Sequence, residues 1–404
     1  MKTTLPQIIR RVGVGLTLSS LLSAAAIAVD VPRLTPVHRS ERVLVATDNF
    51  QERHYLAFPD LLDLGDEVLV SFKRGKAHAN DDGAVLDTIR IDKETDRVVA
   101  SQIIARLGDK IMQMGEWVRF PNGDIGNYID TQQSTAPARV GLHSTRSTDG
   151  GRTFGPLERV GVVDGVEYGY PFEFVVEGTT TWMLVMSFSN LEGGYSVHPP
   201  RPQAGPVSIL RSEDSGRTWK FVRNLSREFG EIPINESSFV RHGDGFLVVT
   251  RGYDNRVRLH STDHEFKLRH QVDLTGTYPF IESYVGRPRL FARDGRVYLM
   301  GRNWTQSALP PAAAGASGEI KDGVPNFPAA MKLCLFRLDP ATLAVSAYAI
   351  LDNAEGANVT DGYYPVPYFR EKDGRTYLRV IDYKGTNRQP PQIMEFEYLW
   401  DEVR

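Results

Sequence analysis

The chain has 404 residues, with 47 Lys and Arg against 50 Asp and Glu for a formal net charge of −3, and it carries 36 Gly and 24 Pro. A balance this even gives no basic surface for nucleic acid, so that class of partner is excluded. The one cysteine, Cys334, excludes a fold held by disulfides and argues against a thiolate metal site; neither a metal nor a cofactor is called for.

Lys2, Arg10 and Arg11 precede an apolar run of mostly small residues from Val12 to Val29, and Ala26-Ile27-Ala28 fits a cleavage site. Residues 1–28 therefore read as an export signal, with the adjacent arginines in the manner of a twin-arginine route. No other run is long enough to span a bilayer. The expectation is a mature chain, residues 29–404, that is periplasmic or secreted.

One pattern then recurs: an apolar run, a Gly- or Asp-containing turn, and a second apolar run. It appears around Gly65-Asp66, Asn122-Gly123, Glu177-Gly178, Asp244-Gly245, Asp294-Gly295 and Asp373-Gly374. These turns are roughly 50–80 residues apart, about one four-stranded blade with variable loops. Six hairpins predict an all-β, six-bladed β-propeller occupying 29–404. Sustained helical periodicity is absent, which excludes helical and α/β folds. Residues 190–206, with His198, and 305–329 are long, Gly- and Pro-rich gaps, expected as loops at the rim of a pocket.

Two octets share the pattern Ser-x-Asp-x-Gly-x-Thr-aromatic: Ser147–Phe154 and Ser212–Trp219; a worn copy runs from Ser261 to Phe266. Asp and Ser side chains can hydrogen-bond the local backbone, and Gly supplies the left-handed position of a tight turn. These octets resemble Asp-boxes, and the chain resembles the sialidase superfamily over most of its mature length. That resemblance implies a glycan substrate, cleavage of a terminal acidic sugar, and turns that lie away from the pocket.

In a propeller the first strand of each blade lines the axis, and ligands bind where those strands begin. The residues at that end and at the return of the second strand are the candidates. They are His54, Lys73, Arg74, His78, Asp81 and Asp82 in blade 1; Glu116, Tyr128 and Asp130 in blade 2; and Tyr170, Glu173, Ser187 and Asn190 in blade 3. Blade 4 offers Asn235, Glu236 and Arg251, blade 5 Arg287, Arg302, Asn303 and Trp304, and blade 6 Tyr363, Tyr364, Asp382 and Tyr383.

The sialidase resemblance implies roles for some of these. Glu236 lies nine residues before Gly245 and is followed by Arg251; Arg287 starts the fifth blade and Tyr364, with Tyr363 as rival, the sixth. Tyr364 would be the nucleophile and Glu236 the acceptor of its proton. A neutral phenol approaches an anomeric carbon bearing a carboxylate with less repulsion than Asp or Glu. Arg251 and Arg287, with Arg74 as a third, would hold that carboxylate, and Arg302 belongs to the substrate-binding set. The family's Arg-Ile-Pro aligns with Ala57-Phe58-Pro59, so its first arginine is missing; Arg74 is the candidate replacement. Asp81 or Asp82 fits the acid/base, with His78 as competitor, and His54 and Glu173 complete the substrate-binding set. The alternatives are a lyase or glycosidase on uronic or neutral sugars using His54, His78 and a Tyr, and a non-catalytic glycan-binding propeller.

Overall fold

The computed structural model describes residues 30–135, 139–187, 205–304, 331–353, 359–386 and 388–404, with strand backbone also at Ile320–Lys321 and Val324–Pro325. Residues 1–29, with the segment expected to direct export, Asn190, the gap around His198 and most of 305–329 lie outside the described residues.

Six sheets form a six-bladed β-propeller, as the hairpin count predicts; their pairings are antiparallel apart from Arg33–Leu34, which runs parallel to Ala344–Asp352. Blade 1 is Tyr55–Asp63, Glu67–Gly75, Val85–Asp92 and Arg97–Ala105. Blade 2 runs from Ile111–Arg119 to Glu158–Arg159, and blade 3 is built on Val166–Glu177. Blade 4 begins with Ile234–His242 and Gly245–Gly252, and blade 5 with Tyr284–Arg293 and Arg296–Trp304. Blade 6 combines Val359–Gly362, Val366–Lys372, Arg375–Thr386 and Gln389–Leu399. The ring closes through the N-terminal side: Arg39–Val45 pairs antiparallel with Gln389–Leu399 as the outer strand of blade 6. An edge strand that would stand open is thereby covered.

The core lies between blades, where flat apolar faces meet. Trp182 of blade 3 meets Phe246 of blade 4, which stacks on Phe266. Trp400 packs on Phe369 and Tyr298 between blades 5 and 6.

Both octets sit between the third and fourth strands of their blades, after Arg139–Ser147 and Val207–Ser212, and the worn copy follows Val257–Asp263. In each full octet the Asp carboxylate accepts from the Thr hydroxyl at 2.6 Å and the Thr N–H at 2.9 Å, and the Ser hydroxyl accepts the N–H of Gly151 or Gly216 at 2.8 Å. The terminal aromatics pack inward, Phe154 on Trp117 and Trp219 on Tyr128 and Phe174. An antiparallel meander puts these turns at the same end as the first hairpin turn, opposite the strand starts. Arg146 spans the two kinds of turn, bonding Asp124 at 2.8 Å and Ser215 O at 2.6 Å.

The ladder between the first and second strands breaks near the start of the first strand in five blades. Register shifts fall between Ala57 and Asp60, Met112 and Met114, Tyr168 and Tyr170, Ile234 and Ser237, and Gly286 and Arg289. In blade 6 the inner strand is split, with Tyr363 and Tyr364 in the gap. Phe58, Arg287 and Tyr363 have φ of 57°, 45° and 63°, a left-handed backbone that costs a non-glycine residue about 1 kcal/mol or more. Such irregularities re-aim side chains, and here they do so at one end of the propeller.

Candidate active site

Glu236 occupies the bulge at the start of blade 4 and is 3% exposed. Its Oε1 accepts from the phenol of Tyr364 and from Tyr170 at 3.0 Å; its Oε2 accepts from Arg251 at 2.7 Å and from the backbone N–H of Arg287 at 3.0 Å. Burial alone would raise this carboxyl, but Arg251, Arg302 and the Tyr364 hydrogen bond hold it down to about 2. Burial, and then the charge of Glu236, push the Tyr364 phenol far above its usual range. The pair therefore rests as a neutral phenol donating to a carboxylate.

Two guanidiniums flank it. Arg251 lies over the Tyr284 ring at 3.8 Å. Arg302 lies over the Tyr364 ring at 4.9 Å, donates to Tyr284 Oη at 2.9 Å and to Gly362 O at 3.2 Å, and stands 3.6 Å from Asp361. A third, Arg139, covers Tyr170 at 4.5 Å and pairs with Asp130 at 3.1 Å. Each of these arginines is thus matched by a carboxylate.

Beside the pair, Asp361 gathers a second cluster. It accepts from Tyr55, and from Tyr383 at 2.8 Å, and lies 2.7 Å from His78 Nδ1. The Phe58 ring touches His78, Tyr364 and Tyr383 at centroid separations of 4.9, 5.3 and 5.3 Å. Blade 1 thus puts an apolar ring beside Tyr364.

Other candidates are turned elsewhere. Arg74 is not a replacement for the missing arginine: it pairs with Asp87 and lies over Phe50 at 4.7 Å, on the flank of the blade. Side chains alternate along a strand, so its neighbour Lys73 points inward instead. Fully buried Lys73 donates to Gln113 at 3.1 Å and to Ala77 O at 2.8 Å, and burial brings it down to about 8. Arg287 reaches the site with its backbone only; its guanidinium pairs with Glu116 and bonds Phe172 O at 2.9 Å. Glu173 belongs to a network at the axis, where Arg289 bonds it at 2.9 Å, Asp60 at 2.6 Å and Glu116 at 3.0 Å. That network draws on blades 1, 2, 3 and 5, so its place is the hub.

Asp81 holds its own loop: it accepts from Lys76 N at 2.6 Å and stands 3.6 Å from Lys73 and 3.5 Å from Arg53. Asp82 accepts from Ser134 N at 2.9 Å. Tyr363 donates to Asp352 at 2.6 Å, away from Glu236. His54 is half-buried and takes no part in these hydrogen bonds. Tyr128 lies under the octet turn, with its hydroxyl 3.3 Å from Gly216 O, so it is at the opposite end from the site.

Sequence reasoning missed Asp361, Arg139 and Arg289. Asp361 lies three residues before Tyr364, and Arg289 two residues beyond Arg287 on the same strand. The signal for both was their nearness to residues already chosen. Arg139 opens the third strand of its blade, a position the argument from first and second strands does not reach.

No protein-family model and no curated protein matches the sequence. Solved structures do. A protein of unknown function from Dyadobacter fermentans DSM 18053 has a TM-score of 0.65 at 14% identity, over 93% of this chain and 100% of that one. Trypanosoma rangeli sialidase, in complex with the inhibitor DANA, has a TM-score of 0.56 at 12% identity, over 91% of this chain and 60% of that longer one. Penicillium chrysogenum alpha-L-arabinanase, complexed with arabinobiose, has a TM-score of 0.54 at 11% identity, over 92% and 100%. The likeness is one of fold. Sialidases and other glycoside hydrolases stand among the neighbours that share this propeller.

Proposed function

We propose that this propeller is a glycoside hydrolase acting with retention on a terminal acidic sugar, of which sialic acid is the type. The observation that carries the reading is the buried Tyr364–Glu236 hydrogen bond at the end of the blades where their first strands begin. A phenol held on a carboxylate is a nucleophile with its base already in place. With Glu236 held to about 2 and Tyr364 raised, the proton stays on the phenol at rest. It moves to Glu236 as positive charge builds at the anomeric carbon, so the transfer belongs to the transition state.

The use of a neutral nucleophile favours a substrate whose anomeric carbon bears a carboxylate, which a carboxylate nucleophile would repel. Arg251, bonded to Glu236, and Arg302, over the phenol ring, are the groups to receive that anion. One observation favours a second reading, hydrolysis of a neutral sugar: Arg251, Arg302 and Arg139 are each matched by Glu236, Asp361 and Asp130, so the site carries little surplus positive charge. In either case residues 1–28 would direct export. The test is hydrolysis of a panel of sialosides, uronides and neutral glycosides by wild type and Tyr364→Phe. Cleavage of an acidic glycoside that Tyr364→Phe abolishes supports the first reading; cleavage of neutral glycosides alone supports the second; activity that survives Tyr364→Phe refutes both.

A further inference from the structure

A retaining reaction needs a proton donor for the leaving oxygen as well as a nucleophile. The aspartates suggested by position are engaged elsewhere: Asp81 binds the backbone of its own loop and stands near Lys73 and Arg53, and Asp82 binds Ser134. A different group is aimed at the site. His78 is anchored by its backbone carbonyl, which accepts from Gln113 at 2.8 Å and from Lys73 at 3.1 Å. Its Nδ1 lies 2.7 Å from the buried Asp361 and 3.2 Å from the Tyr55 hydroxyl, which itself donates to Asp361. With Nδ1 occupied in this way, Nε2 is the ring nitrogen left for a substrate. The His78 side chain is 32% exposed, whereas Asp361 is 1% exposed. A solvent-facing imidazole on a buried carboxylate is the arrangement that fixes a histidine's tautomer and ring orientation.

We infer that His78 is the proton donor of this site and Asp361 its positioning residue. The inference rests on the reading of Tyr364 as nucleophile. The Phe58 ring packs against both His78 and Tyr364, at centroid separations of 4.9 and 5.3 Å. In the first step the Tyr364 oxygen bonds to the anomeric carbon and its proton passes to Glu236. The glycosidic C–O bond breaks, its electron pair stays on the leaving oxygen, and that oxygen takes the proton from His78 Nε2. In the second step water attacks the anomeric carbon, neutral His78 takes the water's proton, and the tyrosyl oxygen leaves and recovers its proton from Glu236. The sum is glycoside plus water to free sugar plus alcohol.

The experiment compares matched 4-nitrophenyl and methyl glycosides of the released sugar, beginning with sialic acid, on the full chain. Nitrophenolate departs without a proton; methoxide does not. His78→Ala should lower kcat/KM on the methyl glycoside by about 100-fold or more, and by less than about 10-fold on the nitrophenyl glycoside. Asp361→Asn should shift the leaving-group dependence in the same sense, which a purely structural role would not do. Equal losses of His78→Ala on both substrates, or no loss on either, would overturn the assignment. Tyr364→Phe separates the two ideas: it should lose both substrates, and if it keeps both, the nucleophile is wrong whatever His78 does.

Discussion

Arg287 donates its backbone N–H to Glu236 at 3.0 Å while its own guanidinium turns away to pair with Glu116. The bulge between Gly286 and Arg289 and a φ of 45° make both contacts compatible. The residue therefore serves the site through its main chain and the axis through its side chain. Truncating the side chain should act on stability first. Arg287→Ala leaves a buried carboxylate with fewer partners and should cost about 3 kcal/mol in denaturant unfolding, with KM nearly unchanged. A strong rise in KM without loss of stability would place the guanidinium on the substrate.

Arg302 should behave in the opposite way. It lies over the Tyr364 ring and beside Asp361. Arg302→Ala should raise KM for an acidic glycoside by about 10-fold or more, the scale of one charge-assisted hydrogen bond, and added salt should weaken wild-type binding in the same direction. Equal KM values for wild type and variant would remove Arg302 from the anion site.

The octets should matter to folding and not to turnover. Asp214 accepts from Ser212, Arg217 and Thr218, contacts that hold its carboxyl down to about 2 although burial alone would raise it. Asp214→Ala should destabilise the chain by about 1 kcal/mol and leave kcat unchanged, because its turn is at the far end of blade 3. A fall in kcat at full occupancy of the folded state would contradict that placement.

Acid should weaken the fold through Glu236. Its carboxyl is near 2 in the folded chain against an ordinary 4.5. The ionised form thus contributes stability above about 4.5, and this contribution is lost as pH falls through about 2, on the order of 3 kcal/mol. Unfolding free energy measured between pH 6 and pH 3 should decline less steeply in Glu236→Gln than in wild type. Parallel declines would mean that the four donors around Glu236 do not hold its charge.

The hairpin turns and the octets made the six blades legible, because both are set by local turn chemistry. Glu236 and Tyr364 were singled out by the sialidase resemblance, and the structure joins them in one hydrogen bond. Arg74 was not, because strand alternation puts it on the flank and its neighbour Lys73 inside. Arg287 was not, because a one-residue bulge decides which of Arg287's groups faces Glu236. The closure by Arg39–Val45 was hidden because its partner strand, Gln389–Leu399, lies at the other end of the chain. Asp361 needed the three-dimensional meeting of blades 1, 5 and 6.

The central claim is that the Tyr364 oxygen becomes bonded to the sugar. A fluorinated acidic glycosyl fluoride, in which the ring fluorine slows breakdown of the intermediate and the leaving fluoride speeds its formation, should trap that bond. The chain is incubated with it, quenched, digested and mapped by mass spectrometry. The account predicts the mass of the sugar on the peptide containing Tyr364, at Tyr364 itself, and no such adduct in Tyr364→Phe. A sugar on another residue, or turnover with inverted anomeric configuration and no adduct, would contradict it.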